Sequence, residues 1–183
     1  AGWSAAPLKA GPPKPATDEE IKQMIAAAGE AKDYDNAAIV YVLDEADVFV
    51  QASGLATTES CQIIKILTDG GIRSQSSIRH EFDPSTNRVT LKSVRIHRKG
   101  GTGEEVPTAT LLTQSAPQHA IYWGNQQHIL PVPRLEIGDC LEIRISKIGF
   151  NTAYLGDSGN GTGAGGPPEE TLKPPMPGHW YET

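Results

Sequence analysis

A chain of 183 residues can bury one sizeable core, and 38% hydrophobic against 21% charged residues fits a folded body with low-complexity attachments, not a disordered chain. The formal charge of -6 and the lack of a large Lys/Arg cluster argue against general attraction to a phosphate backbone, so no nucleic-acid partner is expected. No apolar run approaches the ~20 residues that a membrane-crossing helix needs.

Residues 1–16 (AGWSAAPLKAGPPKPA) carry four prolines and read as an extended leader, with Trp3 available to dock on a neighbouring surface. Thr17 and Glu20 have the spacing of a capping box, and Asp18, Glu19 and Glu20 meet the free amides of a first turn. Ile21, Met24, Ile25 and Ala28 then recur on one face, which predicts a helix ending near Gly29 and laid against a sheet or its edge.

From Ala38 the period changes to two. The stretch to Val50 reads as two strands or as one strand bent near Asp44-Glu45, closed by a turn at Ser53-Gly54. Cys61–Leu67 is the next strand, with Lys65 at an edge or on an exposed face. Thr68-Asp69-Gly70-Gly71 then reads as a hairpin tip leading into a strand over Ile72–Phe82. Asp83-Pro84-Ser85-Thr86-Asn87 is a turn in which Pro84 presets φ and the Asp and Asn side chains bond nearby amides.

Val89–His97 alternates, with Val89, Leu91, Ser93, Arg95 and His97 on one face. Residues 99–103 (KGGTG) form a second hairpin tip, and Glu105–Leu112 follows as a strand with Val106, Thr108, Thr110 and Leu112 aligned. Ala120–Trp123 and His128–Val132 are short strand candidates, but Pro131 and Pro133 argue against a central, fully laddered strand. Gly138-Asp139 turns into Cys140–Lys147, where Leu141, Ile143 and Ile145 face in and Glu142, Arg144 and Ser146 face out. The expected core is Ile64, Ile66, Leu141, Ile143 and Ile145. Residues 151–183 form a Gly/Pro-rich tail whose Trp180-Tyr181 either completes the sheet or opens a strand with partners beyond residue 183.

Motifs for chemistry are sparse. GDSGNGTGAGG (156–166) lacks both the Walker spacing and a strand–helix setting for phosphate. Histidines 80, 97, 119, 128 and 179 match no zinc pattern, although His119 and His128 could converge across a loop. Cys61 and Cys140 sit in or beside strands, where thiols usually pack; in an oxidising compartment they could form one bridge. No paired carboxylates stand out. These residues predict no catalytic, cofactor or metal site; any small-molecule ligand stays open.

Taken together, AAIVYVLDEADVFVQASG, IIKILTDGGI, HEFDPSTNRV, KSVRI and VPRLEIGDCLEI resemble the domain of unknown function 3857, over roughly residues 35–150. The family's marks fall on Leu67, Thr68 and Gly71, on Asp83-Pro84, on Arg95 and on Gly138-Asp139. The chain departs from the pattern at Arg98-Lys99-Gly100-Gly101, where an Asp-Gly hairpin is usual, and at Arg134, where Gly is usual. The resemblance implies an antiparallel β-sandwich accessory domain that precedes a transglutaminase-like domain in bacterial, often exported, proteins.

The expectation is therefore a mainly β, two-layer antiparallel sandwich over residues 17–150 with one N-terminal helix and extended tails. Its expected role is a non-catalytic structural or protein-interaction module, with a protein partner or adjoining domain; the alternative is an accessory or substrate-side domain of a transglutaminase-like cysteine protease. Trp3, Tyr122, Trp123, Trp180 and Tyr181 are the candidate contact residues, as aromatic anchors beside weakly patterned segments. A chain starting at Ala1 also suits a mature, exported protein, periplasmic or extracellular.

Overall fold

The computed structural model describes residues 17–117 and 124–150, together with the main chain of 178–182. Helix α1 (Asp18–Ala27) opens this part. The strands are β1 (Ile39–Val50), β2 (Leu55–Ile66), β3 (Ser77–Phe82), β4 (Asn87–His97), β5 (Gly103–Glu105), β6 (Leu112–Ser115), β7 (Gln126–Pro131), β8 (Cys140–Phe150) and β9 (Gly178–Glu182). A short helix, α2 (Asp69–Ser74), lies between β2 and β3. Two antiparallel sheets result: six strands in the order β5-β4-β8-β2-β1-β9, and three in the order β3-β7-β6. The protein is a mainly β two-layer sandwich, as the turn-punctuated alternation predicts.

Helix α1 begins as its sequence requires. The Glu20 amide donates to Thr17 Oγ1 at 3.3 Å, and the Thr17 amide donates to Glu20 Oε2 at 2.7 Å, so two otherwise orphaned donors are satisfied reciprocally. The core lies between the sheets, where Ile64, Ile66, Leu141 and Ile143 meet Val94, Ile96 and Leu130; Ile145 packs against this cluster, only partly buried.

The three-stranded layer accounts for most departures from simple alternation. Thr68-Asp69-Gly70-Gly71 is no hairpin tip, because residues 69–74 coil into α2 and carry the chain from the large sheet to the small one. Gly71 permits that crossing. It is buried against the Ala38 carbonyl, whose oxygen also accepts from the Leu67 and Thr68 amides at 3.0 and 3.3 Å. A Cβ at Gly71 would collide with that oxygen. Gly71→Ala is expected to cost about 1–3 kcal/mol through this overpacking, seen as a lower urea midpoint with an unchanged m-value.

The Asp83 turn forms as expected, with the Ser85 amide donating to Asp83 Oδ1 at 2.9 Å, but it leads back to the large sheet and does not close a hairpin. Glu105–Leu112 is not one strand. Pro107 follows β5, and a single 3-10 turn at Thr108–Thr110 redirects the chain, leaving Val106 buried and Leu112 exposed. β7 is the central strand of its sheet despite Pro131. That proline lies past the last β6 pair, Leu112↔Ile129, where no ladder bond from its nitrogen is needed.

Two register shifts reset which residues face inward. In β1 the shift falls between Tyr41 and Leu43, so residues 39–50 form one irregular strand, not two. In β4 it falls between Leu91 and Ser93. Val89 and Leu91 point to the core before it, and Val94 and Ile96 after it, so the single face drawn from Val89 to His97 does not hold.

The tight turn before β8 is held by charge. Gly138 has φ +96°, and buried Asp139 accepts from Arg98 Nη1 at 2.6 Å and from the Glu136 amide at 2.9 Å. Arg98 also binds Glu104 across the KGGTG hairpin at 2.5 Å, so one guanidinium ties two connections together.

Candidate interaction surface

The outer face of the six-stranded sheet, away from the core, falls into three zones set by strand register. Helix α1 covers the first. Ile21, 1% exposed, packs with Met24 and Ile25 onto Cys61, Ile63 and Cys140. Lys65 lies on central strand β2, not at an edge, and donates to the Ala28 carbonyl at 2.6 Å, meeting the negative end of α1.

A charged band comes next. Glu142 of β8 is 5% exposed and accepts from His97 Nε2 and Arg144 Nε, both at 2.6 Å. Hydrogen bonding from His97, opposed by burial and supported by Arg144, pulls the Glu142 carboxyl down to about 2. Ser146 donates to Glu59 at 2.7 Å. The expectation that Glu142 and Ser146 face outward holds for direction, but both are buried by their neighbours.

The third zone is apolar and lies beyond the reach of α1. The unbroken β2–β8 register puts Ile148 and Phe150 on the same face as Glu142 and Arg144. They are 44% and 56% exposed, and Phe49, two strands away across Thr57, is 41% exposed. Leu55, opposite Phe150, joins Pro84 and Arg88 in lining a cleft of about 500 Å³ that Ile148 and Phe150 border. Exposed apolar side chains grouped on the otherwise polar parity of a strand mark a candidate contact surface.

This group was legible in one respect only. The run KIGF continues the outward parity of Glu142, Arg144 and Ser146 with two large apolar residues, a signal carried by strand parity and not by aromatics near irregular segments. Of the predicted contact residues, Trp3, Tyr122 and Trp123 lie outside the described residues, as does His119. Trp180 and Tyr181 belong to strand β9, paired with Val48 and Asp47, so this segment joins the large sheet beside Phe49.

The thiols have packing roles. Cys61 and Cys140 are buried and free, and burial pushes both up to about 11, so neither is an ionised nucleophile at neutral pH. A bridge between them is also corrected by register. Cys140 pairs with Lys65 and Cys61 with Arg144, an offset of four residues, or about 13 Å along the strands, beyond the ~7 Å reach of a disulfide. His128 bonds Thr113 Oγ1 at 2.9 Å and stacks on Phe82 with ring centroids 4.5 Å apart, which employs it structurally. Among the described residues, no three His, Cys, Asp or Glu side chains converge on a metal position.

Comparison with known proteins agrees with this architecture. The sequence model of a Domain of Unknown Function with solved-structure structure (DUF3857) matches residues 52–183. The match runs past residue 150 and so includes β9. A crystal structure of a protein proposed to be a protease, from Parabacteroides distasonis ATCC 8503, superposes with a TM-score of 0.51 at 16% identity. The similarity covers 59% of this chain and 22% of that one, and at this identity it speaks for the fold alone. No curated protein matches the chain.

Proposed function

The chain belongs to the DUF3857 family, and we propose that it acts as a non-catalytic interaction module, docking an adjoining domain or subunit through the apolar end of its outer sheet face. The observation that carries this reading is the exposure of Ile148 and Phe150 on a strand parity that is otherwise polar. Burial of such side chains against a partner, with the polar band as rim, follows the anatomy of protein interfaces. Phe150 ends β8 at this patch, and strand β9 pairs with β1 beside Phe49.

A second reading makes the module the accessory or substrate-side domain of a transglutaminase-like cysteine protease in an exported protein. The fold likeness to one fifth of a proposed protease favours it. A Cys-His-Asp catalytic domain in the continuing polypeptide supports this reading, and a polypeptide without one removes it.

The test compares amide hydrogen exchange in the isolated chain and in the assembly or parent polypeptide recovered at native size. Slower exchange at 147–150 and 49–50 in the native preparation is expected. Equal exchange in a monomeric, companion-free preparation defeats the proposal. Ile148→Ser with Phe150→Ser should change stability by no more than about 1 kcal/mol, as exposed positions do, while releasing the neighbour.

A further inference from the structure

A second surface, on the opposite side of the large sheet, has the properties of a peptide groove. Three strands roof six, so the inner face near β1 and β2 emerges from under β3, the outermost strand of the small sheet. A cleft of about 520 Å³ runs along this margin. Its floor is Tyr41, Gln62, Ile64, Ile143 and Ile145, and its wall is the end of α2 with residues 77–80 of β3.

The wall is an unpaired strand edge. Among the described residues β3 pairs only with β7, and the Val132 amide donates to the Ser76 carbonyl at 2.9 Å. By the alternation of an antiparallel ladder, Ile78, His80 and Phe82 therefore turn their main-chain groups toward β7. Ser77, Arg79 and Glu81 turn theirs outward, and no backbone partner meets them among the described residues. The outward edge extends over five residues without a proline or a register shift, the usual devices that blunt an edge.

The charged side chains that line the cleft are cationic. Arg73 and Arg79 line it, and burial, more than the Lys147 charge, lowers the His80 pKa. Neither arginine has a carboxylate within 4.0 Å among the described residues. The nearby Asp44 is bonded to Gln62 Nε2 at 3.0 Å. On a protein of net charge -6, an unneutralised basic rim is a local exception.

We infer that the β3 edge binds an extended acidic peptide as an added strand. The peptide main chain pairs with Ser77, Arg79 and Glu81. Its inward side chains lie over the cleft floor beside Ile145 and the exposed ring of Tyr41, and its outward carboxylates meet Arg73 and Arg79. Main-chain bonds supply affinity in this mode, and the alternating side chains supply selectivity. Glu81, exposed at the far end of the edge, fixes the acidic residues of the peptide toward the Arg73 end. This goes beyond the outer-face docking above and stands without it.

The experiment titrates the isotopically labelled 183-residue chain with a blocked hexapeptide of alternating Val and Glu, followed by amide NMR. Shifts concentrated at Ser77, Arg79 and Glu81 are expected. Arg73→Ala with Arg79→Ala should weaken binding by about tenfold or more while the spectrum of the free protein stays dispersed. A peptide N-methylated on the edge-facing amides should not bind. The inference is overturned if the 77–81 amides do not respond, if a Val-Lys hexapeptide binds as well, or if the N-methylated peptide binds equally. Shifts confined to 147–150 also overturn it, and point instead to the outer face.

Discussion

Leu141→Ala is expected to lower stability by about 2–5 kcal/mol, the range for removing a large aliphatic side chain from a packed core. Leu141 is fully buried on β8, the strand that β2 and β4 flank, and its register partners are Ile64 and Ile96. The cavity would therefore open between strands locked on both sides, with little freedom to collapse. Ile145→Ala, four residues along the same face, should cost less because Ile145 is only partly buried and borders the β3 cleft. Urea unfolding of both variants checks the ordering. An equal or smaller loss at Leu141 would mean that β2 and β4 do not hold the site rigid as described.

How much of this was readable beforehand depends on whether a feature is local. The Thr17–Glu20 cap, the Asp83 turn and the KGGTG hairpin are decided within five residues, and each forms where the sequence places it. The inward set Ile64, Ile66, Leu141 and Ile143 was equally plain, since an uninterrupted period of two assigns faces by itself. Hairpin and crossover, however, look alike in sequence. Thr68-Asp69-Gly70-Gly71 carries turn residues in either case, and only contact with Ala38, thirty residues earlier, makes it a crossing between sheets. The register shifts at Tyr41/Leu43 and Leu91/Ser93 have no compositional mark either. They are fixed by pairing with strands distant in sequence, which local composition does not record. The apolar end of the outer face was missed for another reason. Aromatics in irregular segments stand out in a sequence, whereas Ile148 and Phe150 lie in regular strand, where only their parity marks them.

Glu142→Gln is expected to destabilise the fold at neutral pH and to matter little in strong acid. The carboxylate side chain is 6% exposed, against 18% for His97 and 30% for Arg144, so these are its main sources of compensation. Because ionised Glu142 can only accept, His97 Nε2 must carry the shared proton. This bond, outweighing the cost of burial with help from Arg144, lowers the carboxyl from 4.5 to about 2. The folded state thus binds the proton less readily than the unfolded chain. The stabilisation is fully present above pH 4.5 and fades as pH falls toward 2. At roughly 1.4 kcal/mol per unit, the whole effect is about 3 kcal/mol. Glutamine keeps the shape and one accepting oxygen but not the charge, so its deficit should approach this figure at pH 7 and shrink steadily below pH 4.5. Urea unfolding of both proteins at several pH values reads the two curves directly. A deficit that stays constant from pH 7 to pH 2.5 would assign the effect of Glu142 to packing, and the His97–Glu142–Arg144 bonds would then contribute little net stability.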